Sequence, residues 1–490
     1  MSARLSSREL GNVRPGVGRP GRLQGAITPG IVHFGVGGFH RAHQAMVLDD
    51  LMAKGLATDW GIVGVGVREA DRAMKEALVP QDCLYTLTVK DMNTHSTRII
   101  GSIVDFLYAP ENPEAVLSLL ADERIRIVSL TITEGGYNFD QITGEFLWST
   151  QEVADDVARL QSPRSVFGFL TEGLRRRKEA GIAPFTVMSC DNIQGNGHLA
   201  KRMFVSFAEK VDPDLARWMA SSVAFPNSMV DRITPVTTPD NIAEARDTTG
   251  LADSWPVVSE TFFQWVLEDN FPAGRPPFED AGVQLVDDVE PYELMKLRLL
   301  NASHQALAYF GYLQGYSLVH DAVNDPNIQN LLRRYMAEEA APTLRPVPGV
   351  DLVEYQNTLI ERFTNAEVKD TVARLAAESS DRIPKWLVPV INERLEHGGD
   401  VTLCAAIVAS WARYAEGVDE DGNPIDVVDN LKIEVMASAQ QQGSDPLAFV
   451  RNTKLFGDLA TKEGFTIPYV ATLTTLREHG SAQALNNLKG

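Results

Sequence analysis

Between residue 31 and about residue 285 short apolar runs alternate with amphipathic stretches, and after residue 286 the runs give way to helical periodicity alone. That single change of pattern constrains the fold more than any other feature of the chain. The runs "IVHFGVGG" (31–38), "WGIVGVGV" (60–67), "IRIVSLTIT" (125–133) and "FTVMSC" (185–190) have the continuous apolar character of strands buried on both faces. Between them, "HQAMVLDDLMAKG" (43–55) and "SVFGFLTEGLRRRKEAG" (165–181) carry helical spacing, the second closed by Gly181 after a basic last turn. Strands alternating with helices predict an α/β domain with a Rossmann-like parallel-sheet core over residues 1–285. The segments "LYTLTV" (84–89) and "STRIIGSIVDFLY" (96–108), on either side of "KDMNTH", read as an antiparallel hairpin inserted in it.

Residues 286–490 predict a second, mostly α-helical domain, reached through the Pro- and Gly-rich stretch 271–291, which reads as a linker. Two domains also suit a chain of 490 residues, too long for one ordinary core. No run approaches the ~18 apolar residues of a membrane span. With 65 acids against 45 bases the formal charge is −20, which argues against nucleic acid or an anionic membrane as partner. Cys83, Cys190 and Cys404 lie far apart without a C-x-x-C pair, so neither a disulfide framework nor a cysteine-built zinc site is expected, and a reducing cytoplasm is the natural compartment. The first 25 residues are Arg-rich like a transit peptide, but Pro15 and Pro20 break a long amphipathic helix there. They read as an arm packed on the first domain.

"GVGGFHRAHQ" (35–44) follows one of the strand-like runs and opens a helix. In that context glycines let the backbone approach a pyrophosphate and the helix offers it free N–H groups. The fingerprint is incomplete, because a third glycine would fall on His40. A tight turn without ligand is the plainer alternative. Just beyond the next strand, Glu69 stands where a carboxylate accepts both ribose hydroxyls and disfavours a 2′-phosphate, so NAD is expected over NADP. Arg68 and Arg72 soften that preference, and a solvated charged turn accounts for the same residues. His40 and His43 form an H-x-x-H pair, but the spacing supplies no third ligand, so no metal is expected.

"YELMKLRLLNASHQ" (292–305) places polar groups on an otherwise apolar helix. At about 100° per residue, Glu293, Lys296, Asn301 and His304 share roughly 140° of one face. A solvated face is the bland reading, though such a face normally carries more charge and less amide and imidazole. Elsewhere, "SCDNIQGNGH" (189–198) sets Asn192 at the carboxyl end of a strand, where α/β sheets bind ligands. "FPNSMVDRITP" (225–235) sets Asp231 and Arg232 among apolar neighbours, either as a salt bridge or as part of a site. The Tyr292-x-x-x-Lys296 spacing matches short-chain dehydrogenases. Their T-G-x-x-x-G-x-G start and upstream serine are missing, so that reading is rejected.

Taken in order, "GVGGFHRAH", "TITEGGYN", "SCDNIQGNG", "FPNSMVDRITP", "YELMKLRLLNASH" and "SDRIPKW" resemble the polyol-specific long-chain dehydrogenases, and among them the mannitol dehydrogenase branch. The likeness runs from residue 35 to 386. "FPNSMVDRI" and the K-x4-N-x2-H spacing are its most specific parts. The resemblance implies a metal-independent, NAD-linked oxidation of a secondary alcohol, D-mannitol to D-fructose at C2, run in either direction. Other polyols or sugar acids (D-arabinitol, sorbitol, fructuronate) remain alternatives. In that scheme Lys296 is the general base, Asn192 and Asn301 donate to the substrate oxygen, and His304 orients the substrate. Glu293 relays the proton, while Asp231, Arg374 and Lys385 contact the substrate. Gly35, Gly37, Gly38, Phe39, Arg41, Glu69, Thr133, Glu134 and Asn192 surround the cofactor. A monomer is the usual state for such a chain. Chemistry asks for the same parts: hydride leaves carbon readily only as the hydroxyl proton is removed, desolvation favours the neutral amine of a lysine, and two amide donors stabilise a developing oxyanion.

Overall fold

The runs read as buried strands do form strands. In the computed structural model of the protein, which describes residues 2–24, 27–140 and 143–489, the strands in chain order are β1 (Pro29–Phe34), β2 (Gly61–Gly66), β3 (Tyr85–Lys90), β4 (His95–Ile100), β5 (Ile103–Tyr108), β6 (Ile127–Leu130), β7 (Thr186–Ser189), β8 (Ser228–Asp231), β9 (Val257–Ser259), β10 (Gln264–Glu268) and β11 (Gln284–Val286). β1, β2, β6 and β7 are buried along nearly their whole length, which explains their uninterrupted apolar character. They join β5 in a five-stranded sheet of order β5-β2-β1-β6-β7, all pairs parallel. With β3 and β4 set aside as an insertion, this is the 3-2-1-4-5 order of a nucleotide-binding sheet, and its order reverses beside β1. The helices Gln44–Ala53 and Val166–Ala180 connect these strands. The second starts on Ser165, whose hydroxyl accepts the Gly168 N–H, and ends on Gly181 in the left-handed conformation.

The expected hairpin is half right. β3 and β4 pair antiparallel across the 91–94 turn, and β9 adds to β3 in parallel. The second arm does not continue to residue 108. Gly101 and Ser102 break it, because the Gly101 N–H donates to Asp49 and the Ser102 hydroxyl donates to the Ala45 carbonyl. Beyond this break the chain enters β5, an edge strand of the parallel sheet. The stretch read as a linker is also built in part. Phe278 and Val283 are buried around a short 3-10 turn, and β11 pairs with β10, which in turn pairs antiparallel with β8. The Pro and Gly residues there shape turns between short strands.

Two compact units result, one up to Glu290 and one from Pro291 on. Among the described residues beyond Val286 no strand occurs, and the second unit is helical. Its longest buried helix, Thr402–Tyr414, receives its first-turn cap from the buried Glu339, which accepts the N–H groups of Leu403 and Cys404. No helix among the described residues is long and apolar enough to cross a membrane.

The N-terminal segment packs on the first unit, with Leu5, Leu10 and Val13 buried against Leu84, Ile99 and Leu251. Asp49 ties it down. One oxygen of this buried carboxylate, Oδ1, accepts both the Gly21 and the Gly101 N–H groups, at 3.0 and 2.8 Å. Burial raises its pKa from 3.8 to about 6 in spite of those bonds. A carboxyl whose folded value is raised contributes stability that is present below about pH 4 and is lost as the pH rises through about 6. Asp49→Asn keeps an oxygen for both donors and removes the charge. The variant is therefore expected to gain on the parent by up to about 3 kcal/mol between pH 4 and pH 7. Denaturant unfolding across that range checks it, and a difference independent of pH would contradict it.

Candidate active site

Because Phe34, Leu130 and Ser189 stand in register at the ends of β1, β6 and β7, the loops that leave those strands begin side by side. Gly35, the first residue after β1, has φ +91°, and a Cβ there would lie 2.0 Å from the Thr131 carbonyl oxygen. Only glycine fits. The turn is held from behind. The Thr131 hydroxyl donates to the Gly35 carbonyl at 2.6 Å, and Nε2 of buried His33 lies 3.0 Å from that hydroxyl. Burial lowers the His33 pKa to about 3, so it is neutral. Gly37 and Gly38 differ from Gly35. A Cβ at either would meet nothing closer than 3.5 Å, so their bare backbone leaves space in front of the turn. That cradle at the switch point of the sheet fits a dinucleotide phosphate, and Gly38 begins the short helix after the turn.

Where the fingerprint's third glycine would stand, the His40 ring stacks inward on His33 at 3.4 Å. His43 packs between Phe39, Phe263 and Trp265. Among the described residues no three His, Cys, Asp or Glu side chains gather as a metal ion would require.

A cleft of about 270 Å³ opens beside the turn. Gly35 and Thr133 line it, together with Arg68, Asp71, Asn138 and Glu152. Of the two carboxylates after β2, Asp71 is the one in the lining. Its Oδ2 accepts the Val67 and Arg68 N–H groups at 2.9 Å each, which shapes the turn. Glu69 is exposed one position into that turn and outside the lining. Gly37, Gly38, Phe39 and Glu134 also lie outside it, and so does Arg41, whose buried guanidinium donates to the Gly37 and Trp255 carbonyls over the Tyr85 ring. Sequence reading passed over Asp71 and His33, although "READ" offered two acids and the strand run contained the histidine.

At the end of β7, Asp191 is buried and Asn192 beside it is exposed. The loop that carries Asn192 is anchored by Asn196. Its amide donates to the Asp191 and Ser228 carbonyls, and its Oδ1 accepts the Ser228 N–H. Gly197 allows this closeness, since a Cβ there would fall 2.5 Å from the carbonyls of Phe225 and Pro226. Asp231 ends β8 and is buried. Its neighbour Arg232 directs its guanidinium to the main-chain carbonyls of Glu260 and Ala42, and burial lowers its pKa to about 10.

In the second unit, the residues of the "YELMKLRLLNASH" stretch do not form one regular helix. Glu290–Met295 and Ala302–Leu313 are α-helical, but Lys296–Asn301 is π-helical. An i→i+5 ladder holds one more residue in each turn, so Lys296 and Asn301 return to nearly the same side, closer than an even 100° step places them. Glu293, Lys296 and Asn301 are 5, 6 and 5% exposed, which excludes a solvated face. His304 is half-buried and packs on Phe363 at 4.7 Å. The bulge is braced from its other side. Arg298 donates to both oxygens of Glu393 and to the Thr343 carbonyl, and the Tyr335 hydroxyl donates to the Arg298 carbonyl at 2.8 Å. Tyr292 is buried and its hydroxyl donates to the Pro348 carbonyl. Arg374 is fixed by a two-pronged ion pair with Asp370, and Lys385 is exposed.

A 3-2-1-4-5 sheet with a bare glycine cradle, followed by a helical unit that buries a lysine on a π-bulge, defines a dinucleotide-linked oxidoreductase of two domains. Residues 29–280 match the mannitol dehydrogenase Rossmann domain family, and residues 288–476 match the mannitol dehydrogenase C-terminal domain family. The chain belongs to the mannitol dehydrogenase family. Among its relatives is mannitol 2-dehydrogenase of Neosartorya fischeri, 44% identical over 94% of this chain and 93% of that one. Among solved structures, Pseudomonas fluorescens mannitol 2-dehydrogenase in a ternary complex with NAD and D-mannitol is 41% identical, covers 99% of both chains and superposes with a TM-score of 0.89. A D-sorbitol dehydrogenase in substrate-free form is 37% identical, covers 98% of this chain and 100% of that one, and has a TM-score of 0.91.

Proposed function

We propose that the protein is an NAD-dependent dehydrogenase that interconverts D-mannitol and D-fructose at C2 without a metal ion. The observation that carries this reading is the near-complete burial of Lys296 and Asn301 on a π-helical turn, with Glu293 buried in the α-helical turn before it. Family membership and the Pseudomonas fluorescens relative's complex with NAD and D-mannitol support the choice of cofactor and substrate. NAD, when bound, supplies the hydride acceptor. Lys296 takes the C2 hydroxyl proton in its neutral form and returns it when the reaction runs toward mannitol. Asn301 and Asn192 donate N–H groups to that oxygen as it gains charge, which stabilises the oxyanion without a second ionisable group. His304 orients the polyol. Glu293, one turn before Lys296, passes the proton on. Asp231, Arg374 and Lys385 bind the remaining hydroxyls, and the pairing with Asp370 holds the Arg374 fork in one orientation.

At the other end, Gly35, Gly37 and Gly38 hold the pyrophosphate, with Phe39, Arg41, Thr133 and Glu134 around the cofactor. Glu69 receives the ribose hydroxyls and repels a 2′-phosphate. The same reading takes the protein as a cytoplasmic monomer.

Product analysis tests the position of oxidation. With NAD and D-mannitol the sugar formed is expected to be D-fructose; D-mannose would place the reaction at the terminal carbon and contradict the reading. A second substrate, sorbitol, is favoured by the likeness to D-sorbitol dehydrogenase, and a higher kcat/KM for sorbitol than for mannitol would select it.

A further inference from the structure

Asp191 has no part in the scheme above, yet its carboxylate holds three donors of the segment that lines the cleft. Its Oδ1 accepts the Thr133 N–H at 2.8 Å. Its Oδ2 accepts the Ile132 N–H at 3.0 Å and the Tyr137 hydroxyl at 2.8 Å. Successive main-chain N–H groups that converge on one carboxylate are an anion-holding arrangement. Here the anion is part of the chain, 58 residues from Thr133. The held segment is strained. Thr133 has φ +63° and ψ 167°, a region occupied almost only by glycine. Ile132, Thr133, Gly135, Gly136 and Asn138 all line the cleft. Asn192 follows Asp191 directly in the chain.

We propose that Asp191 is a positioning residue: its carboxylate holds the Ile132–Tyr137 wall of the nucleotide cleft in a conformation that the chain would otherwise leave. This rests on the reading of the cleft as the NAD site. Asparagine cannot replace the carboxylate. Both oxygens of Asp191 receive a main-chain N–H, so whichever way the amide turns, its NH2 group faces one of those donors. The strained Thr133 is then free to relax to negative φ and the wall moves. Glycine at position 133 keeps the positive φ without a side-chain penalty, so Thr133→Gly makes the carboxylate less necessary.

The test compares the parent, Asp191→Asn, Tyr137→Phe, Thr133→Gly and Asp191→Asn/Thr133→Gly as full-length proteins. NADH affinity is measured by fluorescence titration, KM for NADH and kcat by steady-state rates, and exchange of the 132 and 133 amides by mass spectrometry. Asp191→Asn is expected to weaken NADH binding and raise its KM at least about tenfold, with kcat at saturating NADH changed less. In the Thr133→Gly background, Asp191→Asn is expected to weaken NADH binding by a smaller factor than it does in the parent. Tyr137→Phe, which keeps the ring and removes one of the three donors, moves in the same direction by a smaller factor and serves if Asp191→Asn does not fold. Unchanged NADH affinity in folded Asp191→Asn, or an equal loss from Asp191→Asn in the Thr133→Gly background, overturns the proposal. Parent protein that binds no NADH would sink the nucleotide reading alone, because faster amide exchange in Asp191→Asn still reports the clasp.

Discussion

Lys296→Ala is expected to lower the turnover of polyol oxidation by about 10²–10⁴-fold while coenzyme affinity stays within a few-fold of the parent. The expectation comes from where the residue sits. Lys296 is 6% exposed on an otherwise apolar helix, and Glu293 and Asn301 are buried to the same degree. Its position depends on the π-bulge, and the brace from Arg298 and Tyr335 fixes the opposite side of that bulge. Alanine removes the proton acceptor and leaves the brace intact, so the fold and the nucleotide domain are expected to survive. Steady-state rates with saturating NAD, together with NADH titration, separate the two effects. A variant that loses coenzyme binding as much as turnover would contradict the assignment, and so would one that keeps more than about a tenth of the parent's kcat.

Gly35→Ala is expected to act at the other end, with the opposite signature. The added methyl would be placed 2.0 Å from the Thr131 carbonyl oxygen at φ +91°, so the backbone must move. Thr131 cannot yield freely, because its hydroxyl and His33 together hold the Gly35 carbonyl. The cost is at least about 2 kcal/mol of stability, through a left-handed conformation that alanine resists and a contact that it cannot relieve. The displaced turn no longer offers its cradle, so NAD binding falls by a larger factor than kcat measured at saturating coenzyme. Denaturant unfolding and NADH titration check both halves. By contrast, Gly37→Ala meets no atom within 3.5 Å in the protein and is expected to retain parental stability while losing coenzyme affinity.

The features legible in the sequence were those that depend on local periodicity. Strands β1, β2, β6 and β7 announce themselves because burial on both faces leaves almost no polar position within them. Lys296 and Asn301 were legible as polar residues in an apolar helix. The bulge that brings them to one side was not, because a π-helical turn has no residue signature and even 100° spacing hides it. The break at Gly101 was hidden for another reason. It is fixed by Asp49, 52 residues away, so the segment 96–108 looked like a single strand. β8, β10 and β11 are only three to five residues long, too short to show a period. Asp191 was the hardest to see. Within "SCDNIQGNG" it is one more polar residue at a strand end, and its role appears only when β6 and β7 lie side by side.

The central claim is a lysine-based, metal-independent exchange of hydride between mannitol and NAD. Its most direct test is the initial rate of NADH oxidation by purified protein in EDTA, with D-fructose, D-xylulose, D-fructuronate and D-tagaturonate as substrates. Fast turnover with D-fructose that EDTA leaves unchanged, and that Lys296→Ala abolishes, is the predicted result. Activity that disappears in EDTA and returns with an added divalent ion would contradict the mechanism, and a preference for either uronate would contradict the substrate.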